Sequence, residues 1–152
     1  MGPDAQEPAF VLQPGRADGS AQWVVGPPRD RYGDGIGVTF VSRLHDDGLS
    51  AVVEAEVDGS TDGFGLRRLP AFVATLAEGW RGWDGVRRWS SLDQRLLLDA
   101  RHDGRGHVEL EVGFQRCGPR GEIRWTAQAF FRIEAGEELT RVAADLSDAL
   151  GA

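Results

Sequence analysis

Leu96-Leu97-Leu98-Asp99-Ala100-Arg101-His102-Asp103-Gly104-Arg105-Gly106-His107-Val108-Glu109-Leu110-Glu111-Val112-Gly113-Phe114-Gln115 decides how this chain folds. Leu96, Leu98 and Ala100 recur at every second position, and so do Val108, Leu110, Val112 and Phe114. That period belongs to half-buried strands. Both apolar sets must reach the same core. A three-residue loop with Gly106 in the left-handed conformation gives that parity. The register then sets Asp99 opposite Glu111, Arg101 opposite Glu109 and His107 opposite Asp103. His102 points to the core side and His107 to the other face, so the two imidazoles cannot share one ion. A packed His102 and a surface His107–Asp103 pair are expected.

The same alternation continues on both sides. Ile123, Trp125, Ala127, Ala129, Phe131 and Ile133 share one face of the cleanest strand, against Arg124, Thr126, Gln128 and Arg132. Residues 36–58 read as a hairpin turning at His45-Asp46-Asp47-Gly48, with Leu44 opposite Leu49, Phe40 against Val53 and Ile36 against Val57. A short strand is expected near residues 86–90. Residues 69–78 form an amphipathic helix with Pro70 in its first turn and Gly79 just past its end. Leu69, Phe72, Val73, Leu76 and Trp80 make its apolar stripe. A second helix spans residues 136–150, with Leu139, Val142, Ala143, Leu146 and Leu150 inward and Glu137 and Glu138 at its positive end. The expected fold is α+β: a mainly antiparallel sheet of six or seven strands, with both helices on one face. Residues 1–35 form an irregular Gly/Pro/Asp-rich segment. Within it Phe10-Val11-Leu12 and Trp23-Val24-Val25 either pair as a short hairpin or belong to a loose tail. Residues 36–152 form the single domain.

Composition removes several function classes. The chain has 152 residues, 41% of them hydrophobic, enough for one domain. Its formal net charge of −7 argues against whole-molecule attraction to nucleic acid or an anionic membrane. All 17 basic residues are Arg. Without Lys there is no Walker A loop, no Schiff base and no kinase strand lysine. One cysteine, Cys117, permits neither an internal disulfide nor a cysteine zinc cluster, and reads as a spare surface thiol. No leader-like start and no membrane-spanning window is seen, so a cytoplasmic location is expected.

Motifs with chemistry are few. Asp58-Gly59-Ser60-Thr61-Asp62-Gly63 begins like an EF-hand loop, but the twelfth position is Leu69 and a strand precedes it, so it reads as a plain turn. Gly33-Asp34-Gly35-Ile36-Gly37 precedes a strand and lacks the dinucleotide spacing. No serine elbow and no His-Glu-x-x-His run occurs. Asp99, Glu109, Glu111 and His107 share a polar sheet face, where solvated charges are the ordinary reading and an acid–base or metal site the alternative.

The most distinctive stretch is Trp80-Arg81-Gly82-Trp83-Asp84-Gly85 with Arg87-Arg88-Trp89. Between residues 67 and 89, five Arg face only Glu78 and Asp84, a local charge of +3. Arg and Trp together can anchor a protein partner, stack on bases or clamp phosphates. The structural alternative has Trp80 ending the helix stripe, with Trp83 and Trp89 capping the core.

Trp80-Arg81-Gly82-Trp83-x-Gly85, Trp89 with Ser90-Ser91-Leu92, Leu96-x-Leu98, Gly106-His107-Val108, Trp125 and Gly136-x-x-Leu139 occur in an order that resembles an uncharacterised bacterial family, domain of unknown function 6228. The resemblance covers residues 36–150. It implies a cytoplasmic α+β domain with no assigned activity, and hence no catalytic residues to transfer. The style is similar to small immunity-type interaction domains, at the level of fold alone.

These readings favour a non-enzymatic domain that binds another protein through Arg81, Trp83, Arg88 and Trp89, with no cofactor, no metal, no membrane and no nucleic-acid partner. An enzyme on the polar face and an Arg/Trp binder of nucleic acid or an anionic ligand are the alternatives.

Overall fold

The computed structural model of the chain describes residues 8–13, 21–30, 33, 37–58 and 68–150. Ile36, the EF-hand-like residues 59–63 and most of the Gly33–Gly37 run lie outside them.

Among the described residues, nine strands and two helices follow in the order β1 (Phe10–Leu12), β2 (Gln22–Val25), β3 (Arg29–Asp30), β4 (Gly37–Asp46), β5 (Leu49–Asp58), α1 (Arg68–Glu78), β6 (Val86–Ser90), β7 (Leu96–His102), β8 (His107–Cys117), β9 (Ile123–Glu134) and α2 (Glu137–Leu150). The fold class is α+β and every strand pair is antiparallel. The strands divide into two sheets where the sequence suggests one. In the first, β4 is central, with β5 on one side and β2 and β3 sharing the other, and β1 outside β2. The second is the meander β6-β7-β8-β9. β5 approaches β8, β4 approaches β9, and the two helices pack chiefly on each other.

One continuous apolar core joins both sheets and both helices, from Phe10 and Trp23 through Phe40, Leu98 and Phe131 to Leu146. The N-terminal islands are part of it. Phe10 lies opposite Val25 and Leu12 opposite Trp23, and all four are buried. Trp23 is fully enclosed, and its Nε1 donates to Ser42 Oγ at 2.7 Å, which satisfies the only polar atom of its ring.

The register of β7 and β8 agrees with parity: Leu96 faces Phe114, Asp99 faces Glu111 and Arg101 faces Glu109, and Gly106 has φ 86°. The β4–β5 register differs from expectation. Leu44 lies opposite Ala51, Phe40 opposite Ala55 and Val38 opposite Val57. The turn is the pair Asp47-Gly48, with Gly48 at φ 77°. A shift of two residues preserves which side chains face the core, so the apolar face is unchanged. In β9 only the second half is enclosed: Ala129, Phe131 and Ile133 are buried, whereas Trp125 and Ile123 are 38% and 61% exposed.

Candidate functional site

Gly79 closes α1, its N–H bonding Thr75 O at 3.0 Å; the following turn closes from Gly82 N–H to Gly79 O at 2.8 Å. The chain therefore leaves the helix just before Trp80, which does not complete the apolar stripe and is 51% exposed. The Arg81 guanidinium carbon sits 5.0 Å from its ring centroid. Behind this exposed pair the loop is clamped. His102 Nδ1 accepts the Gly104 N–H at 2.9 Å. Its Nε2 therefore carries the proton and donates to Trp80 O at 2.9 Å. Trp83 meets the same imidazole edge-on at 5.4 Å, and its Nε1 donates to Ala100 O at 3.3 Å. The Arg87 guanidinium carbon lies 4.4 Å from the Trp83 ring centroid, and its Nη1 donates to Thr75 O at 3.1 Å. Gly82, at φ 126°, brings its backbone against His102, where a Cβ would meet Nδ1 at 3.3 Å.

The four residues singled out from sequence do not form one surface. Arg81 is exposed on Trp80. Trp83 is half-buried inside the Arg87–Trp83–His102 stack. Arg88 and Trp89 point to opposite faces of β6. Trp89 pairs with Leu98 and packs on the core, whereas Arg88 pairs with Asp99 on the open face, Nε to Oδ1 3.4 Å. Trp80 and His102 were not singled out as site residues. Gly79 as a helix stop is the signal that would have separated Trp80 from the stripe.

The polar-face set is spread along β8. His107, Glu109 and Glu111 occupy alternate positions, with Asp99 across from Glu111. His107 belongs to a separate cluster, with Nδ1 3.8 Å from Asp103 Oδ2 and 3.4 Å from Arg132 Nη2. The backbone N–H groups of Arg105 and His107 hold the Asp103 carboxyl below its ordinary range, helped by the charges of His107 and Arg132. Glu109 lies between Arg101 and Arg132 in the ladder. Asp99 and Glu111 share a depression, of about 250 Å³, with Arg88. Among the described residues, no group of three His, Cys, Asp or Glu side chains is placed to hold a metal ion. Among them, too, no helix is long and apolar enough to cross a membrane. Cys117 is exposed in the β8–β9 turn region.

No curated protein and no solved structure matches the chain. A family model does match, over residues 22–152, and its description is "Family of unknown function (DUF6228)". That stretch spans β2 to the chain end and takes in the clamped Trp80–Gly85 loop, the β7–β8 hairpin and α2. The chain belongs to the DUF6228 family.

Proposed function

We propose that this protein is a non-enzymatic binding domain whose contact surface for another protein centres on Trp80 and Arg81. The observation that carries the reading is the exposed Trp80–Arg81 stack on a loop fastened from behind by His102, Trp83 and Arg87. An aromatic–guanidinium pair held in place before binding loses little conformational freedom on docking, and Trp and Arg are the side chains most enriched at interface hot spots. Nucleic acid fits the surface less well. Of the three described Arg side chains here, Arg87 is committed to the stack and Arg88 to Asp99, which leaves Arg81 as the outward cation. A cytoplasmic location goes with the reading, because an exposed free thiol such as Cys117 suits a reducing compartment.

The test compares wild type with Trp80→Ala/Arg81→Ala as bait in capture from the native host. The variant should melt with wild type, within about 0.5 kcal/mol, because neither side chain supports the core. One defined partner held by wild type and lost by the folded variant is the expected result. Identical capture by both proteins would remove this surface from consideration.

A further inference from the structure

β9 is the last strand of the second sheet, and among the described residues no strand pairs its outer edge. The other edges are short, as in β1, β3 and β6, or partly covered, as in β5, where Leu92 N–H bonds Glu56 O at 2.9 Å. β9 runs for 12 residues without a proline. Sheets ordinarily blunt such an edge, because its free N–H and C=O groups are a template for another strand.

Which groups are free follows from one bond. Ala135 N–H bonds Gly106 O at 2.8 Å, one step beyond the ladder pair Glu134–His107. Residues that bond β8 alternate with residues that face away from it. Ala127, Ala129, Phe131 and Ile133 therefore bond β8, and Thr126, Gln128, Phe130, Arg132 and Glu134 turn their backbone groups outward. Glu134 shows that direction directly, because Glu138 Oε1 takes its N–H at 2.8 Å. Among the described residues, nothing bonds the outward groups of the other four. All four side chains are exposed, Phe130 by 59%, and on the opposite face Ile123 and Trp125 are exposed as well.

We propose that β9 is a self-association edge, at which two copies of the chain pair antiparallel about a two-fold axis at Ala129 to form one continuous sheet. Charge selects the register. An axis at Gln128 sets Arg124 against Arg132, and Glu122 against Glu134, of the other copy, which like-charge repulsion opposes. An axis at Ala127 carries Arg132 past Ile123, the start of the other strand. With the axis at Ala129, Arg124 meets Glu134, Thr126 meets Arg132 and Gln128 meets Phe130 of the other copy. Opposite charges then face each other at both ends, and every open group from Thr126 to Arg132 finds a partner. The two Phe130 rings come to diagonal positions, within reach of aromatic side chains. Among the described residues, nothing holds the Arg124 side chain. Glu134 is ionised at neutral pH, because backbone N–H groups hold its carboxyl low. The antiparallel arrangement also lays the open half of one β9, with Ile123 and Trp125, beside the enclosed half of the other, against which α2 packs. Such an isologous contact closes as a dimer. The Trp80–Arg81 loop leads into β6, at the other edge of the sheet, so the β9 edge stands if that surface fails.

The test is analytical ultracentrifugation of the full chain from micromolar to millimolar concentration, with amide hydrogen exchange at both ends of that range. A dimer at the upper end is expected. Exchange of the Thr126, Gln128, Phe130 and Arg132 amides should slow there by about tenfold or more, whereas the Ala129 and Phe131 amides, bonded to β8, are slow at both ends. Gln128→Pro deletes one outward N–H and no bond to β8, so it should weaken the dimer about tenfold or more. Two milder substitutions keep the outcome decisive if that variant misfolds. Thr126→Arg sets like charge against Arg132 of the other copy and should weaken association, and Thr126→Glu should strengthen it. Trp80→Ala/Arg81→Ala should associate like wild type. A monomer at every concentration overturns the proposal. So does a dimer whose Thr126, Gln128, Phe130 and Arg132 amides exchange as fast as in the monomer, or one that Trp80→Ala/Arg81→Ala abolishes. A folded Gln128→Pro that dimerises like wild type, or equal association by Thr126→Arg and Thr126→Glu, overturns it too.

Discussion

Gly82 is the most constrained residue of the exposed loop, for two separate reasons. Its φ of 126° is closed to L side chains at ordinary cost, and its Cβ position is 3.3 Å from His102 Nδ1. Gly85 shares the first constraint, at φ 77°, but has nothing within 4 Å. Substitution should separate the two effects. Gly85→Asn, in the left-handed region that Asn tolerates, is expected to cost no more than about 1 kcal/mol. Gly82→Ala should cost about 1–3 kcal/mol and displace the imidazole that holds Trp80 O. Urea midpoints measure the difference, and equal costs would show that the His102 contact is dispensable. In the core, Trp23 is the counterpart. Trp23→Phe takes away the indole N–H that Ser42 Oγ accepts and, among the described residues, leaves a fully buried hydroxyl unpaired beside a void. A loss of about 2–4 kcal/mol is expected in the same assay.

Elements are joined here by carboxylates that bind backbone N–H groups. In the loop between β6 and β7, Asp93 Oδ1 takes Ser91 Oγ at 2.7 Å and Arg95 N–H at 3.2 Å, while Oδ2 takes Glu56 N–H at 3.1 Å. Leu92 N–H bonds Glu56 O at 2.9 Å, so the loop covers part of the β5 edge that no strand pairs. Asp93→Ala should cost about 1–2 kcal/mol and speed exchange of the Glu56 amide. At the start of α2, Glu134 accepts from Gly136 N–H at 2.6 Å and Glu138 N–H at 3.2 Å, and Glu138 returns a bond to Glu134 N–H at 2.8 Å. The backbone N–H groups of Glu138 and Gly136 hold the Glu134 carboxyl below its ordinary value of 4.5. A folded value below the unfolded one means that the stabilisation is complete above pH 4.5 and is lost as pH falls through the folded value. Melting temperature should therefore decline on acidification below this point, less steeply for Glu134→Gln, and coincident acid limbs would contradict the cap. How much of this was legible from sequence follows from the same physics. Parity fixed the faces of β7 and β8, and with them the Asp99–Glu111 opposition, because two apolar sets had to meet one core. The β4–β5 register slipped by two because Asp46, Asp47 and Gly48 permit turns of different length with the same parity. The Arg87–Trp83–His102 stack and the Asp93 staple join segments far apart in sequence, and alternation carries no information about such contacts.

At the scale of the whole molecule, two sheets and a helix pair enclose one core, and the chain contributes to that core from near its beginning. The family match starts at Gln22, which leaves β1 outside it. Yet β1 is not ornamental: Phe10 and Leu12 are 5% and 4% exposed, the Phe10 ring meets Trp23 edge-on at 5.7 Å, and β1 also touches α2. A chain begun at Gln22 would keep every residue of the family match and the Trp80–Arg81 loop. It would lose two buried side chains, expose Trp23 and turn β2 into an unpaired edge. Removing a buried Phe and a buried Leu costs roughly 2–5 kcal/mol each when taken alone. Neighbours in one cluster do not add fully, so a combined loss of about 4 kcal/mol or more is expected, or a melting temperature lower by about 10 °C or more for a chain this long. Supplying residues 8–13 in trans as a peptide should restore part of the loss, because the β1 site is a preformed edge with two pockets. If the shortened chain melts with the full one, β1 is an accessory strand and the core closes at β2, which would also explain why the family match begins there.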